Sequence, residues 1–339
     1  MSGHETEEQK LDWLAAPARG FGQFRPEHEF RFEGDGNTDY SVTETWWFTV
    51  SDAASGLTAN FYIAMKPNLN VCSAGSWMFR GFLPQHMMAD HLNYQVQIPA
   101  PIFDGDTISV PQVGLTYRIV KPFEEIHVSY DPPGFDVSAE LVVTRLFDPV
   151  MRANERHFEQ ATWTKGTIRI GNESFAIDHP SFRDRSWGEA RREDALVHPP
   201  IAWLYGVIGD GKGAFNLSGI DDPERNPVWA GDYDMTGKRS LFDGWIMTEG
   251  ELRRVVSMSK RTVRDPARKR PLFIEAEFED DHGVAHYLRA APSSSYNMHF
   301  WPNHNSWHAL AEWELDGVKG IGGAQDYIWP EFARRYWTR

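Results

Sequence analysis

Strand-like runs rich in β-branched and aromatic residues dominate this chain. Runs of that kind at 40–50, 58–65, 114–120, 125–130 and 137–147 are separated by clusters of Gly, Pro and Asp, so each reads as a β-strand bounded by turns. The second half repeats the pattern at 201–208, 214–220, 252–263, 272–278, 284–290 and 308–315. Helical periodicity of 3.6 is confined to the two ends, at 7–16 and 330–337. The chain is therefore expected to be all-β with few short helices.

Landmarks recur at a nearly constant offset. Gly114-Leu-Thr-Tyr-Arg-Ile-Val-Lys121 resembles Gly250-Glu-Leu-Arg-Arg-Val-Val256, and Phe135-Asp-Val-Ser-Ala-Glu-Leu141 resembles Phe273-Ile-Glu-Ala-Glu-Phe278. Trp47 and Trp187 are each followed by an aromatic strand, Phe61-Tyr-Ile-Ala and Trp203-Leu-Tyr-Gly. The spacing predicts two related β domains of about 140 residues, a size usual for one domain. The expected layout is an extension over 1–29, a first barrel over 30–178, a second over 179–329 and a helical tail over 330–339. Antiparallel strands at this spacing form a sandwich or a closed barrel, and aromatic-rich inward faces favour barrels with room for one ligand.

Composition narrows the function. Apolar side chains make up 41% of the 339 residues, enough for two cores. Lys and Arg number 34 against 48 Asp and Glu, a net charge of −14 that repels nucleic acid and anionic membranes, and no basic stripe overrides it. No apolar run approaches the roughly 20 residues of a membrane-spanning helix. A single cysteine, Cys72, cannot form an internal disulfide, and the polar start of the chain lacks the pattern of a secretory signal; a cytoplasmic protein is expected. Two-fold symmetric pairs are the commonest oligomers, so a homodimer is the oligomeric expectation. The 14 Trp are far above the usage of an ordinary enzyme; with 11 Tyr and 21 Phe they either build the β core or line a pocket for a large apolar ligand.

The densest chemistry lies in Asp178-His-Pro-Ser-Phe-Arg-Asp-Arg-Ser-Trp-Gly188. Arg183, Asp184 and Arg185 would form a surface ion-pair turn, or they would set the charge state of an acid-base carboxyl beside an indole. Glu44-Thr-Trp-Trp-Phe48 resembles the Glu-Trp-Trp-Tyr signature of the hydroxyneurosporene synthase (carotenoid 1,2-hydratase) and AttH-like superfamily, and Asp184-Arg-Ser-Trp-Gly188 is similar to its Asp-His-x-Trp-Gly element. The resemblance covers most of 30–330 in layout and implies two lipocalin-like β-barrels in tandem. It also implies a bulky hydrophobic substrate and proton-transfer or pericyclic chemistry without a cofactor. Arg185 stands where the family motif has histidine, and no Tyr-x-Asp matches near Tyr205 to Asp221, which points away from carotenoid hydration.

The resulting expectation is a cofactor-independent lyase, isomerase or cyclase acting on a terpenoid, steroid or multi-ring aromatic compound in a barrel pocket. Asp184 would be the acid or base, Arg185 would hold it ionised or stabilise an oxyanion, and Glu44 would lie nearby. Trp46, Trp47 and Trp187 would stack on the substrate, with Tyr205 also at the pocket. The stretch from His299 through Trp301 and His304 to His308 reads as a pocket-mouth loop, making His299 or His304 a natural base. No third ligand at metal-binding spacing accompanies it, so no metal is expected. The alternative from another class is a carrier that binds an apolar metabolite unchanged. Gly209-Asp-Gly-Lys-Gly213 has neither the spacing nor the context of a dinucleotide site and reads as a hairpin turn.

Overall fold

The computed structural model describes residues 20–193, 198–226, 228, 240–299, 301 and 303–336. Gly20–Arg192 form one compact unit, and the chain from Glu193 onward belongs to another. The first unit carries β1 (Val42–Asp52), β2 (Leu57–Lys66), β3 (Val71–Phe79), β4 (Phe82–Leu83), β5 (His91–Pro99), β6 (Ile102–Asp104) and β7 (Thr107–Val110). It continues with β8 (Leu115–Lys121), β9 (Glu125–Tyr130), β10 (Val137–Arg145), β11 (Val150–Met151), β12 (His157–Ile170) and β13 (Glu173–Ala190). The second unit carries β14 (Ile201–Ile208), β15 (Gly213–Ile220), β16 (Leu241–Thr248), β17 (Glu251–Arg264), β18 (Pro271–Asp280), β19 (Ala285–Met298), β20 (Asn305–Leu315), β21 (Val318–Ile328) and the helix α1 (Pro330–Tyr336).

In the first unit the strands follow the order β5-β3-β2-β1-β13-β12-β10-β9-β8-β7-β6, with β11 beside β12. The sheet curls around a core that includes Trp46, Phe48, Phe61, Ile63, Tyr117, Val128 and Leu141. On β8, β9 and β10 alternate residues enter that core while their neighbours face water, the pattern of a half-covered antiparallel sheet. β1 differs, because every one of its residues is buried and both of its faces are covered.

The second unit is a closed eight-stranded barrel, β14 through β21, sealed by pairing of β18 with β19. Its interior is filled by Leu204, Phe215, Leu217, Ala309, Ala311, Trp313 and Ala324 among others. One end is occupied by a buried charge network. Asp221 accepts from Lys260 and, at 2.5 Å, from Arg264, whose other nitrogens reach both oxygens of Asp326 at 2.7 and 2.8 Å. Burial opposes ionisation of Asp221, but the two cations hold its carboxyl far below the usual range.

The all-β, tandem lipocalin-like architecture is the one expected, with a curled sheet followed by a closed barrel. Three details differ. The units divide after Arg192 rather than after 178, because β13 runs for 18 residues and pairs with both β1 and β12. The supposed extension before residue 30 contributes buried groups to the first unit from Gly20 on, His28 and Glu29 among them. The repeat does not map strand onto strand: β9 separates β8 from β10, whereas β17 and β18 are neighbours, and Trp187 lies in the first unit. The expected helix over 7–16 falls outside the described residues, while the C-terminal one is α1. Among the described residues no helix is long and apolar enough to cross a membrane.

Candidate active site

β13 decides where the candidate residues point. Successive side chains on a strand face opposite sides, so Asp184 is separated by the sheet from Arg183 and Arg185 although all three adjoin in sequence. Register confirms the split: Arg183 opposes Phe48 and Gln160, and Arg185 opposes Trp46 and Phe158, all on the core side. The segment is thus a buried mid-strand, and the surface-turn reading is set aside.

On the core side two ion pairs close on themselves. Arg183 binds both carboxylate oxygens of Glu29 and reaches Gln160 Oε1 at 2.8 Å, with its guanidinium 5.0 Å from the Phe158 ring centre. Arg185 donates to Glu44 Oε1 at 2.6 Å and to the Phe30 carbonyl, and it lies 4.3 Å over Trp46 and 4.9 Å over Trp187. Glu44 also accepts the Phe32 N–H at 2.7 Å. Burial pushes Glu44 up and Arg185 down, and their mutual pairing opposes both shifts. Opposite Glu44 the strand β13 bulges at Trp187-Gly188, where Gly188 takes φ +73°, a conformation that favours glycine. Arg185 therefore does not hold Asp184 ionised, as the sequence suggests; its donors are engaged on the far side of the strand. Trp46 and Trp187 likewise stack on this guanidinium.

On the outward side the register draws one line across six strands: Glu159, Asp184, Trp47, Tyr62, Gly75 and Tyr94. Gly75 has φ +146°, and a Cβ there would lie 1.8 Å from the Asn93 carbonyl oxygen, so only glycine fits. Tyr62 and Tyr94 stand on either side of it, near-parallel with ring centres 6.3 Å apart, and Trp77 packs edge-on to both at 6.4 and 5.8 Å. On the other side of Asp184, Glu159 accepts from His157 at 2.8 Å and from Arg152 at 2.8 Å. Burial raises Glu159, but these two partners outweigh it and bring it down to about 2.

Asp184 sits between this cluster and the aromatic strip. It makes no hydrogen bond or ion pair with any described residue, and although half-buried at its surface it is surrounded by enough protein to be desolvated. Desolvation raises its carboxyl, and the more distant His157, Arg191 and Arg152 only partly counter this. The arrangement is suited to proton transfer: an acid biased toward its neutral form beside π faces that tolerate positive charge.

The remaining candidates lie in the barrel unit. Tyr205 is on β14, facing outward, with Trp203 4.8 Å away. His304 packs against Tyr327 and Trp329 at 5.2 and 5.9 Å and burial pulls it down to about 3; Trp301 is half-buried and His299 exposed. Among the described residues no group of three or more His, Cys, Asp or Glu is placed to hold a metal. Buried apolar side chains pack the interiors of both sheets, and aromatic and polar groups gather also on their outward faces. Two clefts have mixed linings: one of about 400 Å³ beside Arg185 and Trp187 combines Phe30 and Phe32 with Arg25, Arg31 and Glu27, and one of about 690 Å³ on the barrel combines Met258, Phe278 and Tyr287 with Asp222, Glu277 and Asp316. Sequence reasoning missed Tyr62, Trp77 and Tyr94, which only strand register joins to Asp184, and Glu29, whose sole signal is an acid in a segment read as an extension.

Fold and site together define a tandem lipocalin-like protein with an unpaired acid on an aromatic sheet face. CghA superposes with a TM-score of 0.57 at 11% identity, covering 92% of this chain and 97% of its own, and its complex with Sch210972 does so at 0.57 and 9%, covering 93% and 95%. Kievitone hydratase from Nectria haematococca gives 0.54 at 10%, covering 93% and 98%. These likenesses concern the fold. The chain belongs to the family described as Domain of unknown function (DUF7064), whose model matches residues 25–330. No curated protein sequence matches it.

Proposed function

We propose that this protein is a cofactor-independent lyase or isomerase, of the hydratase, elimination or cyclase type, acting on a bulky hydrophobic small molecule such as a terpenoid, steroid or multi-ring aromatic compound. The observation that carries the reading is Asp184: an unpaired, desolvated carboxyl in register with Trp47 and Tyr62. A carboxyl held nowhere by a cation contributes nothing to the sheet that a neutral residue would not, whereas a general acid must be free to give and retake its proton. In its neutral form Asp184 protonates a double bond or a leaving oxygen; its conjugate base then removes a proton from the substrate or from attacking water. Trp47 stabilises the cationic intermediate through its π face, and the surrounding rings keep bulk water away. That one fold neighbour is by name a hydratase agrees with this reading, as does the resemblance of the Glu44 and Asp184 motifs to hydroxyneurosporene synthase.

The test is a panel of terpenoids, steroids and lignin-like dimers, screened by quenching of tryptophan fluorescence and then by mass spectrometry of each bound compound. Change in mass, or isomerisation at constant mass, is the expected result. Quantitative return of every bound compound unchanged overturns the enzyme reading in favour of a carrier.

A further inference from the structure

The closed barrel carries on its outward face a set of groups that the proposed acid-base step does not use. Register aligns Trp203 on β14, Gln325 on β21, His308 on β20 and Tyr296 on β19, and one step along the strands Asn216 on β15 lies beside Tyr205 on β14 and Gly323 on β21. These positions alternate with the interior residues Leu204, Ala324 and Ala309, so they point away from the barrel core. Outward polar residues on a barrel are ordinarily wet. Here Gln325 and His308 are 3% exposed and Asn216 1%.

Two of these side chains keep donors in reserve. The amide nitrogens of Asn216 and Gln325 are buried and bond to no described group, as does the hydroxyl of the neighbouring Ser306. A buried amide without a partner costs stability, and several on one face call for an acceptor from outside the chain. Burial, reinforced by His304, brings His308 down to about 3, so its imidazole is neutral. The flat surfaces come from Trp203 and Tyr205, and Gly323 lets the Tyr205 hydroxyl settle onto bare backbone, where a Cβ would lie 2.2 Å away.

We propose that this barrel face binds the oxygen of a neutral, conjugated ketone, with the Gln325 and Asn216 amides donating to it, His308 as a further hydrogen-bonding group, and Trp203 and Tyr205 against its flat body. No cation stands in these lines to fit a carboxylate or phosphate. If the proposed enzyme reading holds, on which the word substrate rests, the substrate class narrows from hydrocarbons to oxygenated terpenoids, steroid ketones and aromatic ketones.

The experiment is equilibrium dialysis of the full chain against two matched pairs, progesterone with pregnane and chalcone with 1,3-diphenylpropene, the bound compound being quantified by mass spectrometry. At least one ketone is expected to bind tenfold or more tightly than its hydrocarbon partner. Gln325→Leu and Asn216→Leu should each remove about that factor from ketone binding, as one lost hydrogen bond does. Gln325→Glu, which replaces a donor by an acceptor at the same size, separates hydrogen bonding from packing and should lose the ketone equally. Binding of neither ketone, equal binding of ketone and hydrocarbon, or unaltered ketone affinity in the three variants overturns the proposal. Recovery of a tightly bound ketone unchanged would instead count against the enzyme reading and leave this binding face standing.

Discussion

Replacing Arg185 by methionine keeps most of the side chain's length and removes its charge. The guanidinium is 1% exposed, bonds Glu44 Oε1 at 2.6 Å, the Phe30 carbonyl and the Glu29 carbonyl at 3.4 Å, and lies between Trp46 and Trp187. Glu44, equally buried, would be left with the Phe32 N–H alone. Removing one member of a buried pair costs about 3–5 kcal/mol, since the survivor stays desolvated. At about 2–4 °C per kcal/mol for a unit of this size, the melting transition of the first unit should fall by roughly 6–20 °C, read by calorimetry. The Glu44→Gln, Arg185→Met double variant should be less damaging than the sum of the singles by about 1–3 kcal/mol. Burial raises the Glu44 carboxyl and Arg185 counters it, so in Arg185→Met the folded state is least penalised where Glu44 is neutral, and the deficit should shrink as the pH is lowered. A loss under about 1 kcal/mol, with turnover abolished in a fully stable protein, would refute this and return Arg185 to the chemistry, where its motif first placed it.

Three further outcomes follow from the same geometry. Because the Asp184 carboxyl is raised in the folded chain, its charge destabilises the protein above that raised value and not below the unfolded one; Asp184→Asn should gain about 1 kcal/mol at neutral pH, with the gain fading in denaturant titrations as the pH is lowered. His304 and His308 are each pulled down to about 3, so their ring nitrogens should show no protonation between pH 8 and pH 4 in nitrogen-15 spectra; since the unfolded chain takes up those protons near 6.5, the barrel should lose stability as the pH falls below that value, and a titration near 6.5 would contradict the packing described. Gly75→Ala should cost about 3 kcal/mol or more in thermal denaturation, because its Cβ would collide with backbone that cannot move without breaking the β3–β5 ladder.

Most strands were legible, whether one face is wet or both are covered. β9 falls where alternation puts it, at 125–130, β14 where its apolar run does, at 201–208, and the turn at Gly209–Gly211 is the hairpin connection its glycines suggest. β3, β12, β13, β16 and β21 left weaker traces, and in β13 the bulge at Trp187-Gly188 breaks the alternation. The site was half legible. Two short motifs singled out Asp184, Trp47, Glu44 and Arg185, and period-two geometry then divides them, with the acid and Trp47 outward and the ion pair inward. What joins Asp184 to Tyr62 and Tyr94 is pairing between segments far apart in the chain, and register is set by the assembled sheet rather than by either segment. Glu29 was hidden for the same reason: its partner Arg183 lies far along the chain.

The central claim is that Asp184 moves a proton. The direct measurement takes one compound that the natural chain converts and compares binding and conversion in Asp184→Asn, under single-turnover conditions with the compound saturating. Binding within about threefold of the natural chain, with conversion slower by about 100-fold or more, is the predicted result for loss of a general acid. Conversion at the natural rate by a stable, ligand-binding Asp184→Asn protein would contradict it.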